Sequence, residues 1–299
     1  MVDWRTIPEL GTVWGIRFVV LVARVCRRRF AGWFLYLVCL YYVLFRPAVR
    51  RASRSYLRRV GLPDGTGSVV RHIHTFARVS LDRLFFLTGR WSTFDISYRG
   101  HELFLDAAAS GRGALLLGAH VGSFEVMRCR AEASGVPINI IVDYSNAERI
   151  NAVLRSLAPS VDTRLLSLGR DPLATMLAVR GCVEKGELVA MLGDRVAARG
   201  GADRQVAVRF LDGDALFPAG PWLLAHTLKV PVYFFVGLYT PPNRYGLHCE
   251  LLAREVKLDR RARADDVQRY AQSYASALER HVRLAPYNWF NFFELWSPQ

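Results

Sequence analysis

A chain of 299 residues, 52% apolar and 22% charged, can bury a full core as one large α/β domain or as a domain with an N-terminal appendage. Its net charge of +14 calls for an anionic partner, nucleic acid or membrane surface, and the placement of that charge decides between them. Five scattered cysteines (Cys26, Cys39, Cys129, Cys182, Cys249), odd in number and without a Cys-x-x-Cys pair, suit reduced thiols in a cytoplasmic setting and speak against a disulfide framework.

Residues 1–60 hold 12 arginines against Asp3 and Glu9, a local balance of +10. Phe30 to Phe45 is an unbroken apolar and aromatic run, bracketed by Arg27, Arg28 and Arg29 on one side and Arg46, Arg50 and Arg51 on the other. A nucleic-acid-binding arm has no use for such a run, so the segment is expected to attach the chain to an anionic membrane surface, and no nucleic-acid partner is expected. As a helix the run is about 24 Å long, short of a hydrocarbon core of roughly 30 Å, which predicts a segment lying in one leaflet instead of spanning. Arginine beside anionic headgroups puts it on the cytoplasmic face. The alternative is a hydrophobic helix hairpin packed on the rest of the protein. The first residues lack the pattern of a cleavable signal peptide.

Gly61 to Gly67 breaks the chain, giving a division into a membrane-attachment segment (1–60) and an α/β domain (68–299). A helix is predicted over Val69–Leu87. Strand-like runs then recur at Ala114–Leu117, Ile138–Val142, Arg164–Leu168, Leu188–Leu192, Val206–Phe210, Val232–Leu238 and His248–Leu252. Helical stretches fall at Phe124–Ser134, Ala147–Leu157, Pro172–Glu184, Gly220–Leu228 and Ala264–Leu284. Several strands are continuous apolar runs, as strands covered on both faces are. The alternation predicts a largely parallel sheet flanked by helices, and the last two strands, joined across Pro241-Pro242-Asn243, an antiparallel pair.

Chemistry concentrates at Gly113 to Glu125, where a buried strand runs into a small-residue turn carrying His120, with Glu125 five positions on. If a helix starts at or just after His120, Glu125 falls in its first turns and can reach back to the imidazole. A carboxylate on one ring nitrogen leaves the other free to take a proton from a hydroxyl, the layout of a general base. The spacing alone is weak, because His101 and Asp106 fit it too, on an amphipathic helical run where a surface or capping histidine suffices. His120 differs by its strand-to-helix junction, where α/β folds carry their sites. No Gly-x-Ser-x-Gly elbow, P-loop, dinucleotide fingerprint or zinc-spaced His/Cys cluster is present, so His120 is cast as a base acting on an acceptor and not as one member of a covalent triad.

His120-Val-Gly-Ser-Phe-Glu125 after a buried strand, Leu192-Gly-Asp194-Arg195 and Phe217-Pro218-Ala219-Gly220 together resemble the lysophospholipid acyltransferase superfamily. Within it the chain looks most like the bacterial late lipid A acyltransferases, over nearly its whole length. The C-terminal block from Pro286 to Trp296 resembles a branch associated with aryl-polyene-type pigment lipids. Two positions depart from the pattern: Val142 to Asn146 lacks the arginine usual after the second strand, and Ala219 stands where an acidic residue often follows Phe-Pro.

The resemblance implies a glycerol-3-phosphate-acyltransferase-like fold and a bacterial inner-membrane enzyme. It would move an acyl chain from acyl carrier protein or coenzyme A to a hydroxyl of a lipid acceptor, with neither metal nor cofactor. His120 and Glu125 would be catalytic. Asp194, Arg195, Gly122, Ser123, Phe217, Pro218 and Gly220 would bind substrate. Oxyanion donors would come from the backbone around Gly122 or from Arg195, which could equally hold the donor's phosphate or pair with a carboxylate. Phe-Pro-x-Gly reads either as an acyl groove or as a plain turn and helix start. The C-terminal aromatics read as core packing or as headgroup contact. A non-catalytic lipid-binding protein and a thioester hydrolase are the alternatives on the same scaffold.

Overall fold

A computed structural model describes residues 28–142, 164–167, 172–196 and 205–296. The expectations for residues 1–27, the segment 143–146 and the helix at 147–157 lie outside them. Three helices come first: α1 (Arg28–Phe45), α2 (Pro47–Arg59) and α3 (Thr66–Leu87). The α/β part follows as β1 (Asp95–Arg99), α4 (Glu102–Ala109), β2 (Ala114–Gly118), α5 (Glu125–Ala133), β3 (Ile138–Val142), β4 (Arg164–Ser167), α6 (Pro172–Glu184) and β5 (Leu188–Leu192). It continues with β6 (Gln205–Phe210), β7 (Gly213–Pro218), α7 (Gly220–Leu228), β8 (Val232–Thr240), β9 (Arg244–Ala253) and α8 (Arg263–Leu284).

Seven strands form one sheet in the order β1-β9-β8-β2-β5-β3-β4. Every neighbouring pair is parallel except β8–β9, the antiparallel pair expected across the double proline. The central strands read as continuous apolar runs because both sheet faces are covered. Leu115 and Leu117 of β2 face one core with Val232, Phe234 and Val236 of β8. Ala114 and Leu116 face the other with Tyr233 and Phe235.

Two strands escape sequence patterning. At the sheet edge, β1 is mostly exposed and carries no apolar alternation. The run expected as a strand at Val206–Phe210 does form, but in a separate hairpin with β7, turned at Leu211 and Asp212, both at positive φ.

Helix α1 is apolar on both sides and uses them differently. Leu35, Cys39 and Val43 are buried, on the side where the helix packs against α3, whereas Tyr36, Leu37, Leu40, Tyr41, Leu44 and Phe45 are exposed. Its first residue is pinned to α3: Arg28 makes two charge-assisted hydrogen bonds to Asp82, at 2.7 and 2.6 Å, and the Tyr245 hydroxyl of β9 donates a third to the same carboxylate at 2.8 Å. Among the described residues no helix is long and apolar enough to cross a membrane.

Candidate active site

Strands β2 and β5 lie side by side in parallel, with Gly118 opposite Leu192 where both end. The Gly193 N–H donates to the Gly118 carbonyl at 2.9 Å, so the two chains leave the sheet locked together. Two residues past that register pair on each strand stand His120 and Asp194, at the carboxyl edge where parallel sheets carry their sites. The imidazole Nδ1 lies 2.8 Å from Asp194 Oδ1, and the His120 backbone N–H donates to Oδ2 at 3.0 Å. The Trp289 indole N–H donates to the same Oδ2 at 3.3 Å.

Asp194 is 2% exposed. Burial acts to raise its pKa, but the imidazole, Arg195 and the His120 N–H outweigh it, and the carboxyl sits well below the ordinary range. An anionic Asp194 accepts Nδ1–H and fixes the tautomer that leaves Nε2 with its lone pair. The His120 side chain is 30% exposed, and Nε2 has no hydrogen-bond partner among the described residues. Burial, then the nearby Arg195 charge, lower the His120 pKa against the opposing pull of Asp194. The ring is therefore neutral at pH 7, as a base must be.

Glu125 does not hold this ring. It begins α5 and is 4% exposed, with Oε1 taken by Arg83 Nε at 2.8 Å and Oε2 by Arg128 Nε at 2.7 Å. The Arg83 bond ties α5 to α3 and the Arg128 bond stays within α5; the expectation that Glu125 reaches back to His120 is corrected to Asp194. The turn between His120 and α5 explains why. Gly122 adopts φ +58 and its N–H donates to the Asn288 carbonyl at 2.9 Å, while the Ser123 N–H donates to Gly237 O at 2.8 Å. A Cβ on Gly122 would collide with the Gly237 carbonyl, and one on Gly237 with that of Ser123, so only glycine allows the loop to seat on β8. With those two N–H groups already donated, they supply no oxyanion contact.

Arg195 follows Asp194 directly, donates from Nη2 to the Phe290 carbonyl at 2.8 Å and lies 5.4 Å from the Phe293 ring. Phe217 is 1% exposed, packed between Phe210 and Tyr274, so it belongs to the core and does not line a groove. Pro218 ends β7 and Gly220 starts α7, so a strand end stands where a turn was expected, followed by the expected helix start. Among the described residues no group of three or more His, Cys, Asp or Glu side chains is arranged to hold a metal ion.

The family model for the bacterial lipid A biosynthesis acyltransferases matches residues 82–297, which span His120, Asp194 and the C-terminal aromatics. The chain belongs to that family. It is an acyltransferase, and its family implies an acyl donor and a lipid acceptor. No curated protein matches it. In this acyltransferase the match starts inside α3, so α1 and α2 lie outside it.

The segment after α8, expected as core packing or headgroup contact, packs in the core and also reaches the site, which was not expected. The Phe290 N–H donates to the His120 carbonyl at 2.8 Å, and Asn288 exchanges side-chain hydrogen bonds with both backbone groups of Tyr239, at 2.7 and 3.0 Å. The signal was present as the dense aromatic and amide block Tyr287 to Phe293, but nothing in one dimension tells which loop such a block touches.

Proposed function

We propose that the chain is a membrane-attached O-acyltransferase that moves an acyl group from a thioester, on acyl carrier protein or coenzyme A, to a lipid or glycolipid hydroxyl. The observation that carries this is the His120–Asp194 pair, one imidazole nitrogen held by a buried carboxylate and the other without a partner among the described residues. His120 Nε2 removes the hydroxyl proton as the oxygen attacks the thioester carbonyl. The tetrahedral oxyanion collapses with loss of the thiolate, which takes the proton back from the imidazolium. Asp194 orients the ring and stabilises its charged form, and Arg195 sets positive charge beside the developing oxyanion.

Attachment is assigned to the exposed face of α1, six large apolar side chains continued by Arg46, Arg50 and Arg51 toward anionic headgroups on the cytoplasmic side of the inner membrane. The C-terminal aromatic block supports an acceptor from the aryl-polyene-type pigment lipids. The test is transfer of a radiolabelled acyl chain from each thioester to extracted membrane lipid by the wild type and by His120→Ala. Labelled lipid with the wild type and none with the folded variant is expected. Thioester consumption without labelled lipid would mean a hydrolase, and equal transfer by both would remove the imidazole from the chemistry.

A further inference from the structure

Asp194 is held by more than the histidine it serves. Trp289 is 1% exposed and hemmed by three rings edge-on, Tyr56 of α2 at 5.0 Å, Phe210 of β6 at 5.2 Å and Trp296 at 5.9 Å between centroids. Its backbone is fixed as well. Val121 and Trp289 form an antiparallel bridge, closed by Gly122 N–H to Asn288 O and Phe290 N–H to His120 O. Behind it, the Trp289 carbonyl accepts from His72 Nε2 at 2.8 Å, and His72 Nδ1 lies 2.9 Å from Ser53 Oγ. A carbonyl only accepts, so Nε2 carries the proton and Ser53 donates to Nδ1. A continuous chain of polar contacts thus runs from α2 through α3 and the C-terminal segment to the dyad.

Packing alone would be served by any large ring at 289. What only the indole adds is the N–H directed at Oδ2. With that oxygen engaged by two N–H groups, Oδ1 is the one turned to the imidazole, and the carboxylate cannot swing about its own bond without breaking both. We propose that Trp289 is a positioning residue for acyl transfer, fixing the Asp194 carboxylate through its indole N–H and damping the basicity that the carboxylate confers on His120. The proposal rests on His120 being the base of that reaction. Beside Asp194, the charged and titratable groups around the ring are Arg195 and, toward the carboxylate, the Tyr274 phenol; His72 lies behind the indole.

The experiment replaces Trp289 by phenylalanine (Trp289→Phe) and, in a second full-length protein, by benzothienylalanine, which keeps the ring system and lacks the N–H. Removing the donor leaves more charge on Oδ2, so the imidazolium is better stabilised and the acid limb of kcat/KM moves up, by about half a pH unit. A looser carboxylate lowers kcat by about five- to tenfold with KM within twofold. Thermal melting of the benzothienyl protein stays at the wild-type temperature, which separates positioning from packing if the phenylalanine variant is unstable. The His120 ring titration, read from ¹⁵N-histidine resonances assigned with His120→Ala, shifts in the same direction.

An acid limb and ring titration in the benzothienyl protein that stay in place, or move down, overturn the proposal. So does an unchanged kcat in that protein. A wild type that transfers no acyl group sinks the functional reading instead, and the ring titration still decides the positioning.

Discussion

Replacing Asp194 by asparagine probes the site with almost no change of shape. Oδ2 accepts the His120 backbone N–H at 3.0 Å and the Trp289 N–H at 3.3 Å, so an amide at 194 must keep its oxygen there. Its NH₂ then faces Nδ1, 2.8 Å away, and turns that nitrogen into an acceptor. The ring proton moves to Nε2, the atom that should receive the substrate's proton, and the carboxylate charge that stabilises the imidazolium is gone. The same tautomer error in a serine-protease triad costs ~10⁴ in kcat, so a loss of roughly 10³–10⁴ is expected, or about 4–5.5 kcal/mol of barrier. Initial rates of thiol release coupled to labelled-lipid formation, at saturating donor, measure it, with circular dichroism to show an intact fold. Activity within about tenfold of wild type would refute the assignment of Asp194 as the partner of the base.

Because burial and Arg195 lower the His120 pKa, kcat/KM should be flat through neutral pH and fall with acid only below the ordinary histidine range, near 6.5; a midpoint above that value contradicts the geometry. Glu125→Ala leaves Arg128 without its closest carboxylate at a mostly buried position, so a stability loss of about 3 kcal/mol is expected in urea titrations. The acid limb of Glu125→Ala should stay where the wild type has it, since Glu125 does not touch the imidazole. His72, wholly buried and lowered to about 4, refuses a proton that the unfolded chain takes up near 6.5. In that window the unfolded state binds more protons, so stability is constant above it and drops by about 3 kcal/mol as pH falls through it. Urea midpoints from pH 7 to 4 should lose this component in His72→Gln. Leu37→Glu with Leu44→Glu on the outer face of α1 should weaken binding to anionic vesicles by about 3 kcal/mol, roughly a hundredfold, in flotation assays; unchanged flotation would remove that face from membrane attachment.

The sheet was legible because its central strands are covered on both sides and so are written as runs such as Leu115-Leu116-Leu117. Edge strand β1 has one side in solvent and no such run, and β7 was hidden by a Phe-Pro pair that reads as a turn. His120 was legible from the strand-turn junction. Its carboxylate partner was not, since nearness along the chain favoured Glu125 while the partner comes from the neighbouring strand 74 residues on. The clue was that both apolar strands run into a glycine and then a polar residue, with the glycines offset by one so that His120 and Asp194 each stand two places past the register pair Gly118–Leu192. Two adjacent parallel strands ending alike bring their next residues together. Trp289 left no comparable trace, because the tie between α3, the loop after β2 and the segment after α8 exists only in three dimensions.

The hydrogen bonds from Tyr56 to the Pro286 carbonyl and from His72 to that of Trp289 join residues made early in translation to residues made more than two hundred positions later. Until then the Tyr56 hydroxyl and His72 Nε2 lack the carbonyls that receive them in the folded protein. The nascent chain must therefore carry an unfinished helical layer through most of its synthesis, a state open to aggregation unless a chaperone or a lipid surface shelters it.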